Sequence, residues 1–518
     1  MHTASSHNRS SLLNILAIAG FSVLILFMWQ GNKGFSLWDE GFLWYGAQRV
    51  MLGEVPIRDF MAYDPGRYYW SAALMSLWGD NGIMTLRGSV AAFQAAGLFI
   101  GLLLIARTAR KHSFLYLLLS TVTLLAWMFP RHKLFDISLS IALIGVLTYL
   151  VEKPESRRYF LVGVCVGLVA VFGRNHGVYG VVGSIGAMAW LSFKQENAVG
   201  ILKGFGLWAA GILAGYTPVL LMVLLVPGYA TAFWESIRHL FETKSTNLPL
   251  AVPWPWSVDF AVLPFDEALR GVLVGLFFMA LVVCWVLSVA WLVRQKYRNR
   301  QVPPALVAAS CMMLPYAHLA YSRADINHLA QGIFPLMIGS LALLAMQSAR
   351  FKWPLVLVLC GVSLWTMHMS YPGWQCYASI PCKTVDISGS ELLIDPDTAS
   401  AVDLLRKLAD QYAPDGRSFI AVPFWPGAYA LLERRSPMRE IYPIEPRNPA
   451  YQERELDRIR SSNPGFAVVI DIPIDDREEL RFSNSHQLIY RYIQTHMDRL
   501  PDSPNPVFEL YRAKKGDG

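Results

Sequence analysis

Carboxylate residues crowd a short polar stretch that follows the first long apolar run of the chain. Asp39 and Glu40 are adjacent, and Asp59 and Asp64 follow within 25 residues. Partial burial raises the pKa of a carboxylate toward that of a useful general base. We therefore predict that Asp39 is the catalytic base and take Glu40 as the second catalytic candidate. For Glu40, Asp59 and Asp64, simple solvation or helix capping is an equal alternative.

Basic residues form a second set, placed in short turns between apolar runs. The turns are Arg131-His132-Lys133, Arg174-Asn175-His176 and Arg323-Ala324-Asp325-Ile326-Asn327-His328. Ionisable groups at membrane depth are costly and usually functional, and Arg and Lys suit a phosphate through charge-assisted hydrogen bonds. Together with the carboxylates, they indicate a site for a phosphorylated lipid and a hydroxyl acceptor. We predict that the phosphate of this lipid donor is bound by Arg131, Lys133, Arg174, His176, Arg323 and His328. The predicted supporting or acceptor-binding residues are Arg58, Asp59, Asp64, Tyr68, Asp136 and Asp325. For any single turn, a local salt bridge such as Arg323 with Asp325 is the alternative.

The elements that must position these residues are apolar helices. Of the 518 residues, 54% are hydrophobic and 16% are charged, whereas soluble proteins carry about 25% charged residues. A bilayer core needs about 20 apolar residues per helix. The composition therefore excludes a cytosolic enzyme and predicts a polytopic α-helical membrane protein of about eleven spans. These lie near 12–29, 87–106, 114–129, 134–151, 159–172, 177–193, 204–226, 270–293, 303–319, 329–348 and 353–370.

The distribution of Lys and Arg predicts the orientation. Alternate loops are rich in Lys and Arg, including Arg9, Arg110, Lys111 and Lys194, and such loops stay inside. The N-terminus is then cytoplasmic, and the outer loops 30–86 and 227–269 face outward together with the C-terminal domain. In the first loop, Leu43, Ala47, Val50 and Met51 recur at helical spacing opposite Gln48 and Arg49, which predicts an amphipathic helix in the interface. Phe233, Ile237, Leu240 and Phe241 predict a second one.

The C-terminal region has a different composition. Residues 383–518 hold 18 Lys/Arg against 22 Asp/Glu, and strand and helix patterns alternate along them. We predict a membrane module over 1–375 and a water-soluble, extracytoplasmic α/β domain over 383–518, in which Asp397 caps a helix over 399–412. Cys376 and Cys382 follow the last span and are predicted to form a disulfide in an oxidising compartment, with two unpaired thiols as the alternative.

With these motifs in place, the chain resembles a known family. Asp39-Glu40-Gly41 after the first span, then Gly53-Glu-Val-Pro-Ile-Arg-Asp59-Phe60 and Asp64-Pro-Gly-Arg-Tyr-Tyr, are similar to motifs of bacterial GT-C glycosyltransferases. These enzymes are related to protein O-mannosyltransferases and aminoarabinose transferases. The resemblance implies transfer of a sugar, with inversion, from a polyprenyl-phosphate donor on the outer face of the bacterial cytoplasmic membrane. It also implies that Asp39 is the base. Many relatives have Pro-Pro-Gly where this chain has Asp64-Pro65-Gly66.

Other functions fit parts of the same pattern. A flippase for lipid-linked saccharides, or a lipid-binding assembly protein without catalysis, would use the basic turns alone. Neither internal repeats nor a nucleic-acid motif, a P-loop or a His-Glu-x-x-His sequence is found. The acceptor hydroxyl, on a glycan, lipid or protein, stays open. So does a divalent metal, which Asp39, Glu40 and His328 could bind if the fold brings them together.

Overall fold

In the computed structural model of the chain, residues 2–108, 113–193, 199–243 and 247–514 are described. Arg110, Lys111 and Lys194 of the predicted inner loops lie outside the described residues, as does the side chain of Arg9. About 70% of these residues are helical. The helices before residue 380 are His2–Gln30 (α1), Asp39–Met51 (α2), Pro65–Trp78 (α3), Ile83–Thr108 (α4), Phe114–Trp127 (α5), Leu134–Glu152 (α6), Ser156–Phe172 (α7), Arg174–Ser192 (α8), Ile201–Leu225 (α9), Tyr229–Thr243 (α10), Phe265–Tyr297 (α11), Pro304–Ser322 (α12), Ile326–Gly332 (α13), Phe334–Ala345 (α14), Ala349–Met367 (α15) and Pro372–Ala378 (α16).

Every predicted span coincides with a helix or a helix pair. Among the described residues, seven helices are long and apolar enough to cross a membrane: α1 from Ser11, α4, α6 with the turn before it, α9, α11, α12, and α15 to Ser370. The pair α13 and α14, bent by 53° at a break, makes an eighth if it is one span. Helix α5 is apolar but shorter, and α7 and α8 do not meet the same criterion of length and apolar composition. The chain is thus a multi-pass membrane protein, and the total of eleven spans stays a prediction.

The chain forms two compact units, each described here by itself. The first comprises Met1–Trp29, Val90–Pro227 and Lys244–Trp374, and the second comprises Gln30–Ser89, Gly228–Thr243 and Gln375–Gly518. The predicted division kept both outer loops with the membrane module. The structure instead groups the first loop, and α10 from the second loop, with the C-terminal region.

Close backbone packing joins two helices of the first unit. A Cβ atom on Gly163 or Gly167 of α7 would collide with the backbone of α9, and one on Gly211 or Gly215 of α9 would collide with α7. Small residues spaced by four are typical of membrane helices that approach closely, because attraction there depends on van der Waals packing. These glycines fix one side of the bundle.

The C-terminal region builds the sheets of the second unit. Its helices are Pro396–Tyr412 (α17), Pro426–Leu431 (α18), Pro449–Ser462 (α19), Phe482–Ser485 (α20) and Gln487–His496 (α21). Its strands are Lys383–Ile387 (β1), Ser390–Ile394 (β2), Ile420–Val422 (β3), Phe466–Ile470 (β4), Met497–Arg499 (β5) and Phe508–Ala513 (β6). The strands β1 and β2 form a hairpin, and the other four form a sheet in the order β3-β4-β6-β5, with β3 parallel to β4 and the other neighbours antiparallel. A disulfide joins Cys376 to Cys382.

Two local predictions for this unit are wrong. Asp395, not Asp397, caps α17: its carboxylate accepts the N–H of Thr398 over 2.8 Å, and Pro396 takes the first helical position. Helix α2 is not an amphipathic helix with one face in water, because every residue from Glu40 to Gln48 is buried. Helix α18 covers it so closely that a Cβ on Gly41 would collide with Gly427.

Candidate functional site

Glu40 is locked in a buried ion pair of the second unit. Arg87 donates from Nε to Glu40 Oε1 over 2.8 Å and from Nη2 to Oε2 over 2.7 Å. The same guanidinium donates to the carbonyl oxygens of Gly31 and Gly34 over 2.6 and 2.7 Å. The side chains of Arg87 and Glu40 are 1% and 9% exposed. This bidentate, enclosed geometry fixes the start of α2 against the polypeptide that precedes it.

Asp39 occupies a different environment one residue earlier. It is the first residue of α2 and is half-buried, whereas Glu40 is buried. The N-terminus of a helix presents backbone N–H groups and favours negative charge. The anchored Glu40 therefore determines where the Asp39 side chain begins.

Asp59 is bound by its neighbour and by its own turn. Arg58 Nη2 lies 2.7 Å from Asp59 Oδ2, and the N–H of Val55 donates to the same oxygen over 2.8 Å. Burial raises the pKa of Asp59, but the hydrogen bonds from Arg58 and Val55 outweigh it, so the pKa lies below its ordinary value. Asp59 is thus a carboxylate at neutral pH, and it carries a cation beside it.

Asp64 and Tyr68 lie at the start of α3. Asp64 is buried at the position before the helix, and the buried Tyr68 hydroxyl accepts the N–H of Tyr63 over 3.0 Å. Arg67 lies 4.8 Å from the centre of the Tyr63 ring. Burial raises the pKa of Tyr68 well above its ordinary value, so the phenol stays neutral. The Tyr68 hydroxyl thus holds the backbone just before α3 in place.

In the first unit, two of the predicted polar turns meet at one histidine. His176 Nε2 lies 2.9 Å from Asp136 Oδ1, and His176 Nδ1 lies 2.7 Å from the hydroxyl of Tyr316. Asp136, His176 and Tyr316 belong to α6, α8 and α12 and are buried. Arg131 and Lys133 form a single turn of 3-10 helix just before α6, and Arg174 begins α8. The buried chain of hydrogen bonds therefore ties together the helix ends that carry these cations.

The third turn forms its own cluster. Arg323 Nε lies 2.8 Å from Asp325 Oδ2, and His328 Nδ1 lies 2.9 Å from Asp325 Oδ1. Asp325 also caps α13 by accepting the N–H of His328, and Arg323 donates to the carbonyl oxygen of Leu248 over 3.0 Å. The local salt bridge, the alternative to phosphate binding for this turn, is present.

The structure thus divides the predicted site residues between the two units. The second unit holds Asp39, Glu40, Arg58, Asp59, Asp64 and Tyr68. The first unit holds Arg131, Lys133, Asp136, Arg174, His176, Arg323, Asp325 and His328. Within residues 2–108, 113–193, 199–243 and 247–514, no group of three or more His, Cys, Asp or Glu side chains could hold a metal ion.

Two of these contact residues, Arg87 and Tyr316, are not among the residues that the sequence predicts for the site. Arg87 stands at the edge of a predicted span, where a charged residue reads as the end of the span. One feature of the sequence could have indicated its role. An arginine that directly precedes a long apolar run needs a partner of opposite charge if it is buried. Tyr316 gave no signal, because an aromatic residue inside an apolar helix is ordinary.

Comparison with known proteins gives no match by sequence and a clear match by structure. No protein-family model and no curated protein matches the chain. The crystal structure of ArnT from Cupriavidus metallidurans bound to undecaprenyl phosphate is similar with a TM-score of 0.58, at 12% identity over 98% of both chains. The apo form of that protein gives a TM-score of 0.53 with the same identity and coverage. An Archaeoglobus fulgidus oligosaccharyltransferase gives 0.47 over 97% of this chain and 74% of its own.

The fold is therefore that of the GT-C membrane glycosyltransferases. The similarity extends from end to end of both proteins, including the C-terminal region. The predicted fold class, a helical membrane module followed by an α/β region, is confirmed.

Proposed function

We propose that the chain is a membrane glycosyltransferase that moves a sugar from a polyprenyl-phosphate donor to a hydroxyl acceptor. The observation that carries the proposal is the end-to-end similarity to ArnT bound to undecaprenyl phosphate. The candidate residues support it, because they supply a carboxylate for the acceptor and cations for a leaving phosphate. The active face is the outer face of the bacterial cytoplasmic membrane, in agreement with the Lys and Arg distribution.

In this proposal Asp39 is the general base. The acceptor hydroxyl gives its proton to the Asp39 carboxylate as its oxygen forms a bond to the anomeric carbon. The bond from that carbon to the phosphate oxygen breaks, and the polyprenyl phosphate leaves with the electron pair. A single displacement of this kind inverts the anomeric centre. Glu40 positions α2, because Arg87 already occupies both of its oxygens.

The leaving phosphate is stabilised by the cationic turns. Arg131, Lys133, Arg174 and Arg323 supply the charge. His176 and His328, each bonded to a carboxylate, orient the turns.

The test compares Asp39→Asn with Asp80→Asn, a matched change in the same outer loop. Asp80 accepts the N–H of Gly82 over 2.9 Å and has no role in the proposed reaction. We expect Asp39→Asn to lower the release of polyprenyl phosphate from a labelled polyprenyl-phosphate sugar by about 10²–10⁴-fold. Binding of undecaprenyl phosphate should stay unchanged, and Asp80→Asn should retain turnover.

Other outcomes identify other functions. A purified protein that moves labelled lipid across liposomes without cleaving it, with or without Asp39, is a flippase. A protein that binds undecaprenyl phosphate but neither cleaves nor moves it is an assembly protein. Deleting the gene and comparing surface glycans by mass spectrometry would identify the sugar and its acceptor together.

A further inference from the structure

The turn that carries Arg58 and Asp59 contains a strained residue. Ile57 has a φ of 73°, in the left-handed region that a β-branched side chain rarely enters. The residue is 2% exposed, and its N–H donates to the carbonyl oxygen of Phe60 over 3.0 Å. Such a conformation persists only where the surroundings enforce it, and it is frequent at functional sites.

The enforcing contact comes from the C-terminal region. Arg439, between α18 and α19, donates to the carbonyl oxygen of Ile57 from Nε over 3.0 Å and also from Nη2. The carbonyl oxygen of Arg439 accepts the N–H of Met61 over 2.7 Å. One residue therefore holds both sides of the turn, through its side chain at Ile57 and its backbone at Met61.

Arg439 is itself firmly anchored, because the next residue is fixed in the core of the C-terminal region. The Glu440 side chain is 1% exposed and bonds Arg447 Nε over 2.5 Å and His486 Nε2 over 3.3 Å. The N–H of Glu440 donates to Glu455 Oε2 over 3.1 Å. An anchored Arg439 can hold Ile57 in the left-handed region.

We infer that Arg439 is a positioning residue of the transferase site, which holds Ile57 in its strained conformation and thereby orients the Arg58–Asp59 pair toward substrate. The inference rests on the proposed function and goes beyond it, since it assigns the C-terminal region a part in turnover without any contact to substrate. Reacting groups displaced by about 1 Å can lose about 10²-fold in rate, so releasing this turn should affect kcat more than donor binding.

The first experiment compares Arg439→Ala, Arg439→Lys and the control Arg434→Ala in the full-length protein. Arg434 makes the same type of contact elsewhere in the C-terminal region, donating to the carbonyl oxygen of Arg417 over 3.0 Å. We expect Arg439→Ala to lower kcat for polyprenyl phosphate release by about 10- to 100-fold with the donor KM unchanged. Arg439→Lys should retain an intermediate rate and Arg434→Ala the full rate. Equal rates for Arg439→Ala and Arg434→Ala would overturn the inference.

A second experiment separates lost positioning from general damage. Ile57→Gly and Ile57→Ala both remove the side chain, but only glycine accepts a positive φ without strain. In the Arg439→Ala protein, Ile57→Gly should therefore recover part of the rate and Ile57→Ala should not. Equal rates for the two double variants would show that the backbone conformation of Ile57 is not what Arg439 controls.

Hydrogen exchange distinguishes failure of this inference from failure of the proposed function. The amides of Ile57, Asp59 and Met61 should exchange faster in Arg439→Ala than in Arg434→Ala, whatever reaction the protein catalyses. If exchange is faster but the protein transfers no sugar, Arg439 does hold the turn, and the proposed transferase function is wrong. Unchanged exchange and rate in Arg439→Ala, with activity lost in Asp39→Asn, would retain the transferase and reject the inference.

Discussion

The two sets of candidate residues hold their carboxylates with different partners. In the loop that follows α1, the partner is arginine, as in Glu40 with Arg87 and Asp59 with Arg58. At the turns of the helix bundle, the partners include histidine. His176 contacts Asp136, and His328 and Arg323 both contact Asp325. The Arg87 guanidinium binds the Glu40 carboxylate through two parallel hydrogen bonds, whereas His176 and His328 each approach their carboxylate through one ring nitrogen. The loop is thus built for a fixed shape by bidentate ion pairs, and the bundle uses single hydrogen bonds to histidine.

The largest expected effect tests the fixed shape of the loop. Glu40→Gln leaves the buried Arg87 without a carboxylate, and breaking a buried pair costs about 3–5 kcal/mol. The thermal unfolding midpoint should fall clearly in a fluorescence melt, whereas Asp39→Asn should stay near the wild type. Replacing Glu40 and Arg87 together by Met should recover most of the loss. A stable Glu40→Gln protein that loses turnover would instead make Glu40 catalytic, as the sequence predicts.

A smaller effect is expected at the buried histidine of the bundle. His176→Phe deprives Asp136 and Tyr316 of one hydrogen bond each, which costs about 1–3 kcal/mol for a buried group. Tyr316→Phe alone should cost about 1 kcal/mol. In a double-mutant cycle of denaturant unfolding, the two changes should couple, because the side chains share one hydrogen bond. Strict additivity would contradict the bonded chain from Asp136 to Tyr316.

The smallest effect is the acid dependence of the Arg58–Asp59 pair. The folded-state pKa of Asp59 lies below its unfolded value, so its stabilising contribution is present above the unfolded value and is lost as the pH falls through the folded one. The stability difference between wild type and Asp59→Asn should be constant above about pH 5 and should shrink below about pH 4. Melts at a series of pH values measure it. A stability difference that changes between pH 6 and 8 instead would show that a group other than Asp59 sets the pH dependence.

The sequence predicted the membrane helices well, because an apolar run long enough to cross a bilayer is a local signal. The environment of α2 could not be read in this way. Its apolar spacing indicated one wet face, but Gln48 on that face donates to the carbonyl oxygens of Asn81 and Ala430. Ala430 lies nearly 400 residues away in the chain, and no local pattern indicates such a neighbour.

The sequence predicts which residues belong to the candidate site better than it predicts the contacts and the role of each residue. The sequence places Asp136 and His176 in two separate turns, and the structure joins them directly. Adjacency in the sequence suggests one role for Asp39 and Glu40, yet successive helical residues point in different directions and need not share surroundings. Arg87, Tyr316 and Arg439 act through contacts distant in sequence, which spacing alone does not reveal.

The segments of the two units alternate along the chain, which affects how the protein is synthesised and folded. The loop that follows α1 leaves the ribosome early. Its contacts Gly427, which packs against α2, and Arg439, which binds Ile57, are synthesised only after all the membrane helices. At about 5–20 residues per second, the loop waits roughly 20–70 s for them. During that interval the nascent chain must keep an unfinished, aromatic-rich segment from aggregating. A truncated translation product would never complete that unit.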